Sequence, residues 1–208
     1  MIPNQLKDKV TLAIFSLFFL ISSTSAQAKH LVIFGDSLSA AYGMELEQGW
    51  AHLLAESIKG KHKVTNASIS GETTSGGRAR LPITLAELAP DLILIELGAN
   101  DGLQGMSISA MRNNLDEMIS IAKQTDTKIA IAGISLPASY GPRYIDQFRA
   151  TFKDLSQEHG LPYIDFFREE FFLDPEAIQE DGLHPTAKTQ PLVKDIILEF
   201  FNDNQLLD

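Results

Sequence analysis

A chain of 208 residues that is 44% hydrophobic and 21% charged has apolar material for one core and too little length for two, which excludes a multidomain assembly. A formal charge of −10 excludes a nucleic-acid binder of the usual kind, because affinity for a phosphate backbone comes from clustered Lys and Arg. The absence of cysteine excludes disulfides, thiolate metal sites and a thiol nucleophile.

The chain opens with Lys7 and Lys9, then an apolar run from Val10 to Ile21 broken only by Thr11 and Ser16, then small polar residues and Ala26-Gln27-Ala28. A basic segment, an apolar segment and a small-residue A-x-A site make a secretory signal. Cleavage after Ala28 is expected, leaving residues 29–208 as the mature domain in the periplasm or outside the cell. The apolar run is short of the roughly 20 residues that a spanning helix needs, so no stable membrane anchor is expected after cleavage.

In chain order, the next apolar run is Leu31-Val32-Ile33-Phe34, followed by a weaker one from Val64 to Ser68. Asp91 to Leu97 and Lys128 to Ala132 are nearly continuous apolar strands, the pattern of a parallel sheet buried on both faces. Pro162 to Phe166 is a fifth strand candidate. Segments of helical period lie near Gly49 to Lys59, Gly77 to Leu88, Ser109 to Lys123, Tyr144 to Glu158 and Ala187 to Phe201. Strand and helix therefore alternate, which predicts a doubly wound α/β sandwich with its ligand at the carboxyl ends of the strands. The Phe166-Phe167 and Phe171-Phe172 pairs are expected to pack the last strand against the core.

Four loops at that rim carry chemistry. Gly35-Asp36-Ser37-Leu38 follows the first strand and offers a serine hydroxyl, although an isolated serine there is also a good turn or cap residue. Before the last helix, Asp181-Gly182-Leu183-His184-Pro185 places a carboxylate three residues ahead of an imidazole. On a tight turn, that spacing lets the acid hold one ring nitrogen while the other faces the serine. His30, His52, His62 and His159 lack such a partner and are assigned to surface or packing. For the negative oxygen formed on an attacked carbonyl, Gly71 can bring a backbone N–H close and Asn100 can donate a neutral amide. Gly71 and Asn100-Asp101-Gly102 are equally turn-forming residues, so neither decides the matter alone.

Together these blocks resemble the GDSL or SGNH hydrolases: Ser37 in Gly35-Asp36-Ser37-Leu38, Gly71, Asn100 in Gly98-Ala99-Asn100-Asp101, and Asp181-Gly182-Leu183-His184. The resemblance spans nearly the whole mature chain. It implies a flavodoxin-like three-layer α/β/α sandwich with a five-stranded parallel sheet. It implies Ser37 as nucleophile, His184 as general base and then acid, and Asp181 as its orienting partner. The backbone N–H groups of Ser37 and Gly71 and the Asn100 side chain would form the oxyanion hole. The implied activity is a serine esterase and thioesterase acting on small acyl substrates such as aryl esters, acyl-CoA and lysophospholipids. No metal or organic cofactor is implied, and a monomer is expected.

Leu103, Met106, Leu136 and Tyr140 are candidates to line an acyl groove, with loop anchoring as their alternative role. A carbohydrate O-deacetylase built on the same blocks is the competing enzyme reading, and it requires sugar-stacking aromatics. The only tryptophan, Trp50, falls in a helical segment and is expected in the core. A flavodoxin-like binding module is the non-enzymatic alternative, and it has no use for a base.

Overall fold

The computed structural model describes residues 27–166, 174 and 176–208. Nearly all of the expected signal segment 1–28, together with Phe167, Phe171 and Phe172, lies outside the described residues.

Five strands form one parallel sheet in the order β2-β1-β3-β4-β5: β1 (His30–Gly35), β2 (Lys63–Asn66), β3 (Leu92–Glu96), β4 (Lys128–Gly133) and β5 (Tyr163–Asp165). The three continuous apolar runs became β1, β3 and β4, the centre of the sheet, where Leu31, Val32, Ile33, Phe34, Leu92, Ile93 and Leu94 are all fully buried. The weaker run became β2, an edge strand exposed at Lys63 and Asn66, which explains why its apolar signal is thin.

Helices cover both faces. α1 (Trp50–Ser57) packs with α6 (Gln190–Asp203) on one side, and α2 (Thr74–Leu88), α4 (Ile108–Ala122) and α5 (Pro142–His159) lie together on the other. This is the flavodoxin-like strand order, and its switch point falls between β1 and β3, where successive connections leave in opposite directions. Trp50 is buried beside Phe166, with ring centroids 5.8 Å apart, so it belongs to the core as expected.

Two differences from the sequence reading bear on the site. α2 starts at Thr74 rather than Gly77, because the Thr73 hydroxyl accepts from the Gly76 N–H and caps a glycine-rich first turn. Ala99–Leu103 forms a short helix, α3, where a turn was the simpler expectation. Its start is fixed by Asp101, a buried carboxylate that accepts from the Thr74 N–H at 2.8 Å and the Thr74 hydroxyl at 2.6 Å. That pair joins the beginnings of α2 and α3.

Candidate active site

β1 ends at Gly35, and the chain turns sharply as the Ser39 and Ala40 N–H groups donate to the Asp36 carbonyl at 3.2 and 3.0 Å. No helix starts there, so the turn itself presents Ser37 to the cleft. Gly35 is required by its neighbour across the sheet, since a Cβ on it would lie 2.5 Å from Glu96 Oε2.

The segment before α6 brings the second group. Asp181 Oδ1 accepts from the N–H groups of Leu183 and His184 at 2.9 and 3.0 Å, which closes the turn and points the acid at its own histidine. His184 Nδ1 donates to Asp181 Oδ2 at 2.7 Å, because an ionised carboxylate can only accept. That leaves Nε2 as the acceptor for the Ser37 hydroxyl, 2.8 Å away. Partial burial works against the Asp181 charge. The hydrogen bonds from His184 and from the two backbone N–H groups outweigh it and hold the carboxyl below its ordinary value. Tyr42 lies against the imidazole with ring centroids 4.4 Å apart, and Gln179 Nε2 donates to the Tyr42 and Pro185 carbonyls at 2.9 and 3.1 Å. Ring orientation is thus fixed from both loops.

Asn100, in the first turn of α3, reaches across the switch point. Its Nδ2 donates to Asp36 Oδ2 at 3.1 Å and to the Glu72 carbonyl at 2.9 Å, so the nitrogen end of the amide is tied to the residue before Ser37 and the residue after Gly71. Gly71 sits in an exposed turn at φ +80°, a conformation that suits glycine.

Beneath Ser37 lies a buried acidic pair that sequence reasoning did not single out. Asp36 and Glu96 are both fully buried. Burial pushes the Asp36 carboxyl up to about 7, against the Leu38 N–H and Asn100 hydrogen bonds that favour its charge, and Glu72 and Asp101 raise it further. Burial, then the Asp36 charge, raises Glu96 well above the carboxylate range, while Ser39 Oγ at 2.7 Å and the Asp36 N–H at 3.4 Å donate to its Oε2. The other oxygen, Oε1, is buried with no hydrogen-bond partner. A signal for Glu96 existed: an acid closing a fully apolar central strand has to be accommodated somewhere. Tyr42, Gln179 and Arg80 carried no such signal.

Next to Ser37, His184 and Asn100 opens a small cavity of about 50 Å³, walled by Leu38, Leu103, Ile134, Leu136, Pro137 and Leu183. Leu103 and Leu136 thus line the same cavity as Ser37. Met106 and Tyr140, expected in the same groove, are outside it: the Tyr140 hydroxyl donates to the Leu103 carbonyl at 2.9 Å, and both side chains are turned to solvent. The phenol hydrogen bond holds Tyr140 along the outside of the 103–106 loop, where Tyr144 also donates to the Met106 carbonyl at 3.3 Å. His30, at the start of β1, instead meets the Leu88 carbonyl and Thr65, and His159 meets Asp116. Among the described residues, no group of three His, Asp or Glu is arranged to hold a metal.

A doubly wound sandwich with hydroxyl, imidazole and carboxylate in line at its switch point is the arrangement of an ester hydrolase. Residues 33–190 match the GDSL-like lipase/acylhydrolase family, and the chain belongs to it. It is 39% identical over 186 residues to the arylesterase of Vibrio mimicus, covering 88% of this chain and 93% of that one. It is likewise 39% identical over 181 residues to thioesterase 1/protease 1/lysophospholipase L1 of Escherichia coli strain K12, covering 87% of each. Among solved structures, the psychrotrophic esterase EstA from Pseudoalteromonas sp. superposes with a TM-score of 0.80 at 36% identity, covering 84% of this chain and 97% of that one. The protein is an esterase of the hydrolase class. No helix among the described residues is long and apolar enough to cross a membrane.

Proposed function

We propose that the protein hydrolyses acyl esters and thioesters through an acyl-enzyme on Ser37. The observation that carries this reading is the unbroken line from Asp181 through His184 to Ser37, with contacts of 2.7 and 2.8 Å. Ser37 Oγ attacks the carbonyl carbon as its proton passes to His184 Nε2, and the carbonyl electrons move onto oxygen. The resulting imidazolium is stabilised by Asp181. Collapse of the tetrahedral adduct breaks the C–O or C–S bond, and His184 returns the proton to the leaving alcohol or thiol. Water then repeats the attack on the acyl-enzyme, with His184 as base, and frees the acid.

The negative oxygen is met by the Ser37 and Gly71 N–H groups and by Asn100 Nδ2. Both amide hydrogens of Asn100 are engaged in the resting enzyme, so one is exchanged for the oxyanion while the other keeps the amide in place. The aliphatic cavity takes the start of an acyl chain, with Leu103 and Leu136 as its contacts. Among the described residues its lining holds no Phe, Tyr or Trp side chain on which a sugar would stack, which favours acyl chains over acetylated carbohydrate. Among the described residues its lining also holds no Lys or Arg to select a phosphate-bearing leaving group, so the proposed substrates include aryl esters, acyl-CoA and lysophospholipids. In this reading the leader to Ala28 is removed, and the enzyme works as a monomer in the periplasm or outside the cell.

A series of p-nitrophenyl esters from acetyl to palmitoyl, run beside an acyl-CoA and an acetylated sugar, tests the substrate class. Turnover of chains longer than acetyl is expected, and it should vanish in Ser37→Ala with the fold intact. Preference for the acetylated sugar, or turnover surviving in that variant, contradicts the reading.

A further inference from the structure

The turn that carries Gly71 lies outside the core. Ile69, Ser70 and Gly71 are exposed, and a Cβ on Gly71 would meet no atom within 4 Å. A backbone donor aimed at a transition state must nonetheless be held to within about 0.5 Å of its productive position. Packing does not supply that restraint here.

Hydrogen bonds supply part of it: the Ile69 N–H donates to the Gly35 carbonyl at 3.0 Å, and Asn100 holds the Glu72 carbonyl. The rest comes from the Glu72 side chain. Arg80, on α2, donates through Nε to both carboxylate oxygens at 2.8 Å, and its terminal Nη2 also donates to Oε2. The guanidinium carbon lies 3.7 Å from the centroid of the Phe34 ring, which is fully buried in β1. The two side chains are only 21% and 9% exposed, unlike the pair formed by Arg78 of α2 and Glu117 of α4, at 41% and 55%. A continuous brace therefore runs from the Gly71 turn through Glu72 and Arg80 to β1, the strand that leads into the Ser37 turn.

We propose that Arg80 is a positioning residue for ester hydrolysis: clamped on Glu72 and seated on Phe34, it fixes the Gly71 N–H relative to Ser37. The inference rests on the reading in which Gly71 is an oxyanion donor. Arginine suits this task because its planar fork fixes the direction of a carboxylate while its face lies on an aromatic ring, whereas lysine keeps only the charge that attracts Glu72. The screened pair Arg78–Glu117 serves as an internal control.

The test compares Arg80→Met, Arg80→Lys, Glu72→Met, the Glu72→Met/Arg80→Met double variant and Arg78→Met on a short p-nitrophenyl ester, with folding followed by circular dichroism. Arg80→Met is expected to lower kcat about 10- to 100-fold, less than the 10²- to 10³-fold that follows outright loss of an oxyanion donor. KM should stay within about twofold, and affinity for a boronic acid that mimics the tetrahedral adduct should fall by the same factor as kcat/KM. Arg80→Lys should recover part of kcat, the double variant should be no worse than either single one, and Arg78→Met should match the parent. Unchanged kcat in folded Arg80→Met, independent multiplying losses in the double variant, or a rise in KM alone would overturn the proposal. If Arg80→Met does not fold, Arg80→Lys and Glu72→Gln carry the same kcat and inhibitor comparison. The two readings fail separately: turnover in Ser37→Ala removes the underlying mechanism, whereas an inert Ser37→Ala beside a fully active Arg80→Met removes only the brace.

Discussion

Asp36→Asn isolates the buried acidic pair under the nucleophile. Asp36 is fully buried and its carboxyl is pushed from 3.8 up to about 7, so the folded protein holds a proton on it that the unfolded chain has already released. The sign follows from linkage: stability from this group is complete below about pH 4 and is lost as pH rises through about 7. The shift from 3.8 to about 7 corresponds to a ceiling of about 4 kcal/mol between those limits. An asparagine keeps the shape and an oxygen acceptor for the Leu38 N–H or the Asn100 amide, and it cannot ionise. Relative to the parent, the variant should therefore gain stability as pH rises from 4 to 8, by an amount approaching that ceiling. Asp181, held below its ordinary value, acts in the opposite sense and only at lower pH, so it does not mask the effect. Urea denaturation of both proteins at each pH unit measures the difference directly. A stability difference that stays flat from pH 4 to pH 8 would refute the assignment of a buried, reluctantly ionised Asp36.

Further outcomes are expected from the site. Asn100→Ala should lower kcat on the order of 10²- to 10³-fold with little change in KM, and stopped-flow or steady-state kinetics on one ester will show whether it does. Leu136→Phe, which enlarges a wall of the cavity beside Ser37, should shift preference toward shorter acyl chains. About fourfold in kcat/KM is lost for each methylene displaced from contact, read from the p-nitrophenyl series.

Much of this organisation was legible in the sequence, for physical reasons. The central strands announce themselves because burial on both faces permits only apolar side chains, as in Leu31 to Phe34 and Leu92 to Ile95. The Asp181–His184 contact was readable because spacing of three on one turn brings the two side chains together locally. The route from His184 to Ser37 spans 147 positions, and only strand–helix alternation placed both at one rim. What could not be read depends on distant partners. The position of α3 depends on Asp101 meeting Thr74, and nothing local distinguishes that aspartate from one in a turn. Tyr140 and Met106 looked like groove residues because they are large and lie in the right loops. A single phenol hydrogen bond to the Leu103 carbonyl turns Tyr140 to the outside. Arg80 and Phe34 lie in different elements and meet only when α2 packs over β1.

The central claim is a covalent intermediate at Ser37, and rapid quench of the enzyme with a p-nitrophenyl ester followed by peptide mass spectrometry addresses it most directly. The account predicts an acyl mass increment on the peptide containing Ser37, formed with the burst of p-nitrophenol and preserved when the quench is made at acid pH. Turnover with a burst-free time course, and with the acyl group absent from that peptide or found on another residue, would contradict it.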